Sequence, residues 1–135
     1  MKLTPLTVER IVHETADAFS IYFHNPGTPE FAYKPGQYLT LHVEVSGAPE
    51  RRTFSLSSSP LEPGAPLAVT IKCIPGGKVS NHLRATLAPG ATVQVLPPMG
   101  RFTLDIDPAR ARHCVLIGGG SGITPVMSML RSLLA

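Results

Sequence analysis

The sequence predicts an all-β fold: a six-stranded antiparallel Greek-key barrel with one capping helix, followed by the first strand and helix of an α/β unit. Three observations predict it. Short runs alternating apolar and polar residues recur along most of the chain, 14 prolines and 12 glycines supply the turns between them, and the last quarter changes character to a β-branched run, a glycine loop and an apolar helix. So much proline and glycine would break a helical bundle but suits many short turns.

The strands are expected at 6–14, 19–24, 38–45, 52–57, 67–74 and 92–96, each bounded by Pro, Gly, Asn or Ser. Six strands suffice for a small barrel. Between the fifth and sixth, Pro75, Gly76 and Gly77 read as a turn, and Val79, Leu83 and Leu87 then recur at a spacing of four, which predicts a helix. Ser80 and Asn81 are good N-cap types, so the helix is expected over 80–87, capping one end of the barrel. Asp107 and Pro108 mark a boundary, dividing the chain into a barrel domain, 1–107, and an α/β beginning, 108–135. There a buried strand is expected at 113–117, then the glycine loop, Thr124 as N-cap, Pro125 at the first helical position and a helix to the last residue. A lone strand and helix cannot cover both faces of a parallel sheet. That helix carries Val126, Met127, Met129, Leu130, Leu133 and Leu134, so it is expected to pack on the barrel, dimerise with another chain, or stay unstructured.

Composition narrows the function classes. A length of 135 residues with 43% hydrophobic content fits one soluble globular domain, and a net charge of +3 without a basic block or basic–aromatic interleaving argues against nucleic acid as a partner. No apolar run reaches the roughly 18 residues of a membrane span, and the first residues lack the apolar core of a signal peptide. The expected location is the cytoplasm, away from membranes. Cys73 and Cys114 are isolated in apolar runs, without zinc or iron–sulfur spacing, and read as buried thiols. The five histidines show no metal spacing, so no metal site is expected; His82 reads as a helix-surface residue.

Three segments carry binding chemistry. Arg52 offers a rigid fork of donors that matches a phosphate bidentately. On an alternating strand Arg52 and Phe54 share one face, and Thr53 and Ser55 the other; alone, the four read first as an exposed cation beside a buried ring. Gly77, Lys78, Val79, Ser80 and Asn81 open a helix whose unpaired N–H groups and macrodipole favour an anion, with Gly77 allowing close approach, although most such starts are ordinary capped helices. Gly118, Gly119 and Gly120 lead through Ser121, Gly122 and Ile123 to Thr124 in the order strand, phosphate loop, helix. This is not the Rossmann fingerprint, because Ile123 stands where the third Gly or Ala belongs, and it lacks the Gly-Lys-Ser/Thr of a Walker loop. Cations, free N–H groups, an aromatic wall and an edge hydroxyl are what a flavin dinucleotide requires.

The chain resembles the ferredoxin–NADP reductase superfamily, and within it the flavoprotein module of flavohaemoglobins and of phenylacetyl-CoA-type oxygenase reductases. The resemblance rests on Tyr33-Lys-Pro-Gly-Gln-Tyr38, Arg52-Thr-Phe-Ser55, Gly76-Gly-Lys-Val-Ser-Asn-His-Leu83, Pro98-Met-Gly-Arg-Phe102 and Gly118-Gly-Gly-Ser-Gly-Ile-Thr-Pro125. It implies that FAD is the cofactor, that Arg52 grips its pyrophosphate, that Phe54 stacks on it, that Ser55 hydrogen-bonds near flavin N5, that Tyr38 also touches it, and that Gly77 to Asn81, through Ser80 and the backbone, form a second phosphate segment. Thr124 matches the position near both flavin and nicotinamide, so Ser55 and Thr124 are the residues placed nearest the chemistry. Phe54 departs from the family's usual Tyr, keeping the aromatic face but losing a phenol hydrogen bond worth about 0.5 to 1.5 kcal/mol. In the full module NAD(P)H delivers a hydride to the flavin, and electrons pass singly to an iron–sulfur or haem acceptor protein or domain. The α/β beginning is then the start of an incomplete NAD(P)-binding domain, and the chain a truncated reductase, inactive or weakly active alone. The alternatives are a non-catalytic flavin-binding electron-transfer subunit and a flavin-free barrel serving as an interaction module.

Overall fold

A computed structural model describes residues 2–135. All six expected strands are present: β1 (Thr4–Thr15), β2 (Ala18–Phe23), β3 (Tyr38–Val45), β4 (Ala48–Ser55), β5 (Leu67–Lys72) and β6 (Thr92–Met99). They form one antiparallel sheet in the order β4-β3-β6-β1-β2-β5. The long β1 serves two neighbours, pairing with β6 through Thr4 to Thr7 and with β2 from Val8 onward. A register shift between Val8 and Arg10 bends it from one to the other. The sheet curls until its edge strands meet, but the closure is slight: a single bridge joins Leu56 to Val69, and the Ser57 N–H donates to the Ala68 carbonyl at 2.8 Å.

Alternation puts Leu39 and Leu41 of β3, Phe19, Ile21 and Phe23 of β2, and Leu67, Val69 and Ile71 of β5 into one core, each at most 1% exposed. Burial of each such side chain contributes about 1.5–3 kcal/mol.

The first helix, α1 (Lys78–Thr86), buries Val79 and Leu83 against that core, as their spacing predicts. It starts two residues before the expected Ser80, with Gly77 in the N-cap position and no side-chain cap. Asn81 explains the shift: instead of capping, its amide reaches back to donate to the carbonyls of Gly77 at 2.7 Å and Ile74 at 2.9 Å, fastening the preceding turn to the helix.

The C-terminal segment departs from expectation at two points. Residues 113–117 form no strand; among the described residues none pairs with them, and Val115 and Ile117 are 72% and 85% exposed. A β-branched run becomes a strand only with a neighbour to take its backbone hydrogen bonds. The second helix, α2 (Ile123–Leu134), follows a 3-10 turn at Gly120–Gly122 and is capped at Gly122, so Thr124 lies inside the first turn and Pro125 is its third residue. Thr124 donates to the Ser121 carbonyl at 2.9 Å, and Pro125 is tolerated there because first-turn N–H groups have no helical partner.

Of the fates open to α2, the one observed is packing on the barrel. Val126 and Met129 are buried, and hydroxyls complete the seam: Ser128 donates to the Ser58 carbonyl at 2.5 Å and Ser132 shares a 2.7 Å hydrogen bond with Ser59. Ile123, Leu130 and Leu134 remain exposed. No helix among the described residues is long and apolar enough to cross a membrane, and no cluster of His, Cys, Asp or Glu among them is arranged to hold a metal ion. Both cysteines are free thiols; Cys73 is buried and Cys114 half-buried.

Candidate functional site

Strand register decides which predicted residues can meet. Glu50, Arg52 and Phe54 of β4 lie opposite Val43, Leu41 and Leu39 of β3, on one side of the sheet. Thr53 and Ser55 lie opposite Thr40 and Tyr38 on the other. Arg52 and Phe54 therefore share a face, while Tyr38 goes with Ser55.

The Arg52 side chain is 46% exposed and stands at the rim toward the start of α1. It donates through Nη1 to Glu50 Oε2 at 3.2 Å and to the Arg51 carbonyl at 2.9 Å. Lys78, the first residue of α1, reaches the same carboxylate from the other side, with Nζ 2.5 Å from Glu50 Oε1. Two cations from segments far apart in sequence thus converge on one anion. The Lys78 ammonium foremost, and the Arg52 guanidinium with it, hold the Glu50 carboxyl below the usual carboxylate range.

Gly77 is needed where it stands. A Cβ added there would lie 2.6 Å from Ser80 Oγ and 3.1 Å from the Ile74 carbonyl oxygen, so a side chain would crowd the turn that presents Lys78. Val79 is in the core and contributes only backbone at the surface, whereas Ser80 is half-buried and Asn81 exposed.

The third segment meets the first across a cleft. Thr53, Phe54 and Ser55 line a cavity of about 290 Å³ together with Thr70, Ile71 and Lys72 of β5, Ser121 of the glycine loop and Thr124 of α2. Thr70 and Thr124 also line a neighbouring cavity of about 410 Å³ that extends along α2 to Glu14, Ser20, Tyr22, Met127 and Arg131. A chain of hydroxyls runs along its floor: Ser20 Oγ lies 2.9 Å from Glu14 Oε1 and 2.7 Å from Thr70 Oγ1, its one hydrogen going to either, and Thr70 lies 2.9 Å from Ser57 Oγ. Gly118, Gly119 and Gly120 are exposed at the approach to Ser121, and a Cβ on Gly118 would lie 3.0 Å from Ile123 Cα.

Two of the motifs are tied into the barrel by packing and hydrogen bonds. Tyr33 is buried, sharing a 2.9 Å hydrogen bond with Ser58 and donating to the Pro66 carbonyl at 2.7 Å, and burial pushes its phenol pKa up. Gly36 and Gly100 both have positive φ, and the segments around them are tied by Gln37 donating to the Gly100 carbonyl at 3.2 Å and the Leu104 N–H donating to the Pro35 carbonyl at 3.2 Å. Tyr38 packs here, its ring 3.1 Å from where a Gly100 Cβ would be.

Sequence reasoning missed Glu50, Thr70, Lys72 and Ser121. Glu50 carried a signal, since it stands two residues before Arg52 and so on the same strand face. Thr70 and Lys72 carried none, because their place depends on how β5 meets β4.

Residues 5–104 match the family model described as the oxidoreductase FAD-binding domain. The chain is 46% identical to the ferredoxin reductase component of the 3-ketosteroid-9-alpha-monooxygenase of Rhodococcus rhodochrous, over 96% of this chain and 36% of that protein. It is 42% identical to a flavohemoprotein of Pseudomonas putida, over 90% of this chain and 30% of that protein. Among solved structures, phthalate dioxygenase reductase, described as modular for electron transfer from pyridine nucleotides to [2Fe-2S], superposes with a TM-score of 0.80 at 29% identity, over 98% of this chain and 40% of that one. The chain thus spans about a third of the length of the curated relatives it matches.

Proposed function

The chain belongs to the oxidoreductase FAD-binding domain family, and from that premise we propose that it is the FAD-binding portion of an NAD(P)H-dependent oxidoreductase delivering electrons to a one-electron acceptor. The observation that carries the reading is the convergence of Arg52 and Lys78 on one carboxylate, beside a cleft walled by Phe54. The carboxylate is a stand-in for an anion, and it demonstrates that both cations reach a common point. The residues present therefore fit the cofactor: two cations for a pyrophosphate, the backbone from Gly77 to Asn81 beside them, and a ring and hydroxyls for a flat heterocycle.

In this reading Arg52 supplies the bidentate clamp and Lys78 a second charge. Phe54, packed against the barrel core, is the aromatic residue among those lining the cleft, Ser55 and Thr53 offer hydrogen bonds at its edge, and Tyr38 buttresses Ser55 from the paired strand. Ser121 and Thr124 line the cleft from the C-terminal segment, with Gly118, Gly119 and Gly120 keeping the approach open to a nicotinamide. When bound, FAD would accept a hydride and release its electrons one at a time. The protein's own share is orientation and charge, so no side chain is assigned as acid, base or nucleophile.

Residues 108–135 are assigned as the first β-α unit of an NAD(P)-binding domain, whose remaining strands would supply the partner that 113–117 lacks. An iron–sulfur or haem protein or domain is the proposed acceptor, as the names of the relatives suggest. Two free thiols agree with a cytoplasmic, reducing location. A dimer through the exposed Ile123, Leu130 and Leu134 of α2 is a further expectation, which sedimentation tests directly.

The reading is tested by the visible absorption spectrum of the chain mixed with FAD and desalted, beside Arg52→Ala. Flavin bands retained by the wild type and lost by the variant support it; a colourless wild type overturns it.

A further inference from the structure

Glu50 is the acidic side chain that meets both cations of the clamp, and the FAD reading gives it no role once the cofactor is bound. Its side chain is only 18% exposed. The residue paired with it across the sheet is the uncharged Val43, and Arg51 alternates to the opposite face, so Arg52 of its own strand and Lys78 of α1 are the charges it faces. Its two oxygens are divided between them, Oε2 to Arg52 and Oε1 to Lys78.

We propose that Glu50 is an internal counter-ion that sets the affinity and selectivity of the clamp, holding Arg52 and Lys78 until a more highly charged phosphate group displaces it. The inference rests on the FAD reading above. Donors already satisfied by one carboxylate must exchange it for the incoming ligand. A single phosphate or carboxylate gains little from that exchange, whereas a pyrophosphate brings two charges and more acceptors to the same two cations. The displaced carboxylate stays tethered to β4 close to the bound anion, so the like-charge repulsion persists in the complex. Glu50 thereby lowers affinity for every phosphate ligand and leaves binding of the uncharged ring system alone.

The test is titration of the full chain with FAD and with riboflavin, followed by flavin fluorescence, in the wild type, Glu50→Gln and Glu50→Ala. Removing one charge beside the clamp is expected to lower the FAD Kd by about tenfold in both variants and to leave riboflavin binding unchanged. Unchanged or weaker FAD binding in the variants, with the wild type binding, overturns it and makes Glu50 a strut that positions the cations. Equal tightening for riboflavin also overturns it. Absence of FAD binding in all three proteins refutes the FAD reading itself, and this inference with it.

Discussion

Gly36→Ala should destabilise the fold severely, and Gly47→Ala should do so only mildly, although both replace a glycine at positive φ. Gly36 has φ 104 and Gly47 has φ 80, so each alanine meets backbone strain that L residues avoid, costing about 1–2 kcal/mol. The surroundings differ. A Cβ at Gly47, in the hairpin turn between β3 and β4, meets nothing within 4 Å. One at Gly36 would stand 1.8 Å from the Phe102 carbonyl oxygen and 2.8 Å from Met129 Cε. The methionine end can swing aside, but the carbonyl belongs to the segment held by the Leu104–Pro35 and Gln37–Gly100 hydrogen bonds. Forcing that backbone apart adds the roughly 1–3 kcal/mol of an overpacked site. The expected total for Gly36→Ala is about 2–5 kcal/mol, a large part of the 5–15 kcal/mol typical of a domain. Urea denaturation followed by far-ultraviolet circular dichroism measures both variants against the wild type. If they lose equal stability, the close approach of the two motif segments is not what fixes glycine at position 36, and the architectural role assigned to them fails.

Other outcomes follow from the same geometry. Arg52→Lys keeps the charge but loses the fork and should retain FAD better than Arg52→Ala and worse than wild type, as read by equilibrium dialysis. Ser128→Ala removes the hydrogen bond to the Ser58 carbonyl; leaving that buried acceptor unpaired costs about 1–3 kcal/mol, and amide exchange should quicken in α2 more than in the barrel. The lowered pKa of Glu50 means that its ion pairs stabilise the fold above the ordinary carboxylate pKa and cease to do so as the pH falls through the lower folded-state value. The stability difference between wild type and Glu50→Gln should therefore be constant near neutrality and change only below about pH 4; a change between neutrality and mild acid would contradict the assignment.

The barrel was legible because its strands alternate cleanly and its turns are punctuated by Pro and Gly. Leu39 and Leu41 announce a core face, and Val79 with Leu83 a helix that docks on it. What was not legible depends on pairing in space. Residues 113–117 have the composition of a buried strand, yet composition cannot supply the neighbour that makes one. The start of α1 turned on whether the Asn81 amide would cap the helix or reach back to Gly77 and Ile74, two uses of one side chain that sequence does not separate. Arg52 and Lys78 could each be picked out, but not their meeting on Glu50, which requires the β3–β4 register and the docking of α1 together. The cleft between Phe54 and Thr124 likewise depends on the docking of α2, held to the barrel by buried Val126 and Met129 and by its hydroxyls.

The most direct test of the central claim is to map backbone amide shifts by NMR as FAD is added to the chain. The account predicts that the perturbations concentrate at residues 52–55, 77–81 and 118–124, the three segments of the proposed site. Shifts centred instead on the cavity between residues 25–33 and 60–65, or an unchanged spectrum at saturating FAD, would contradict it.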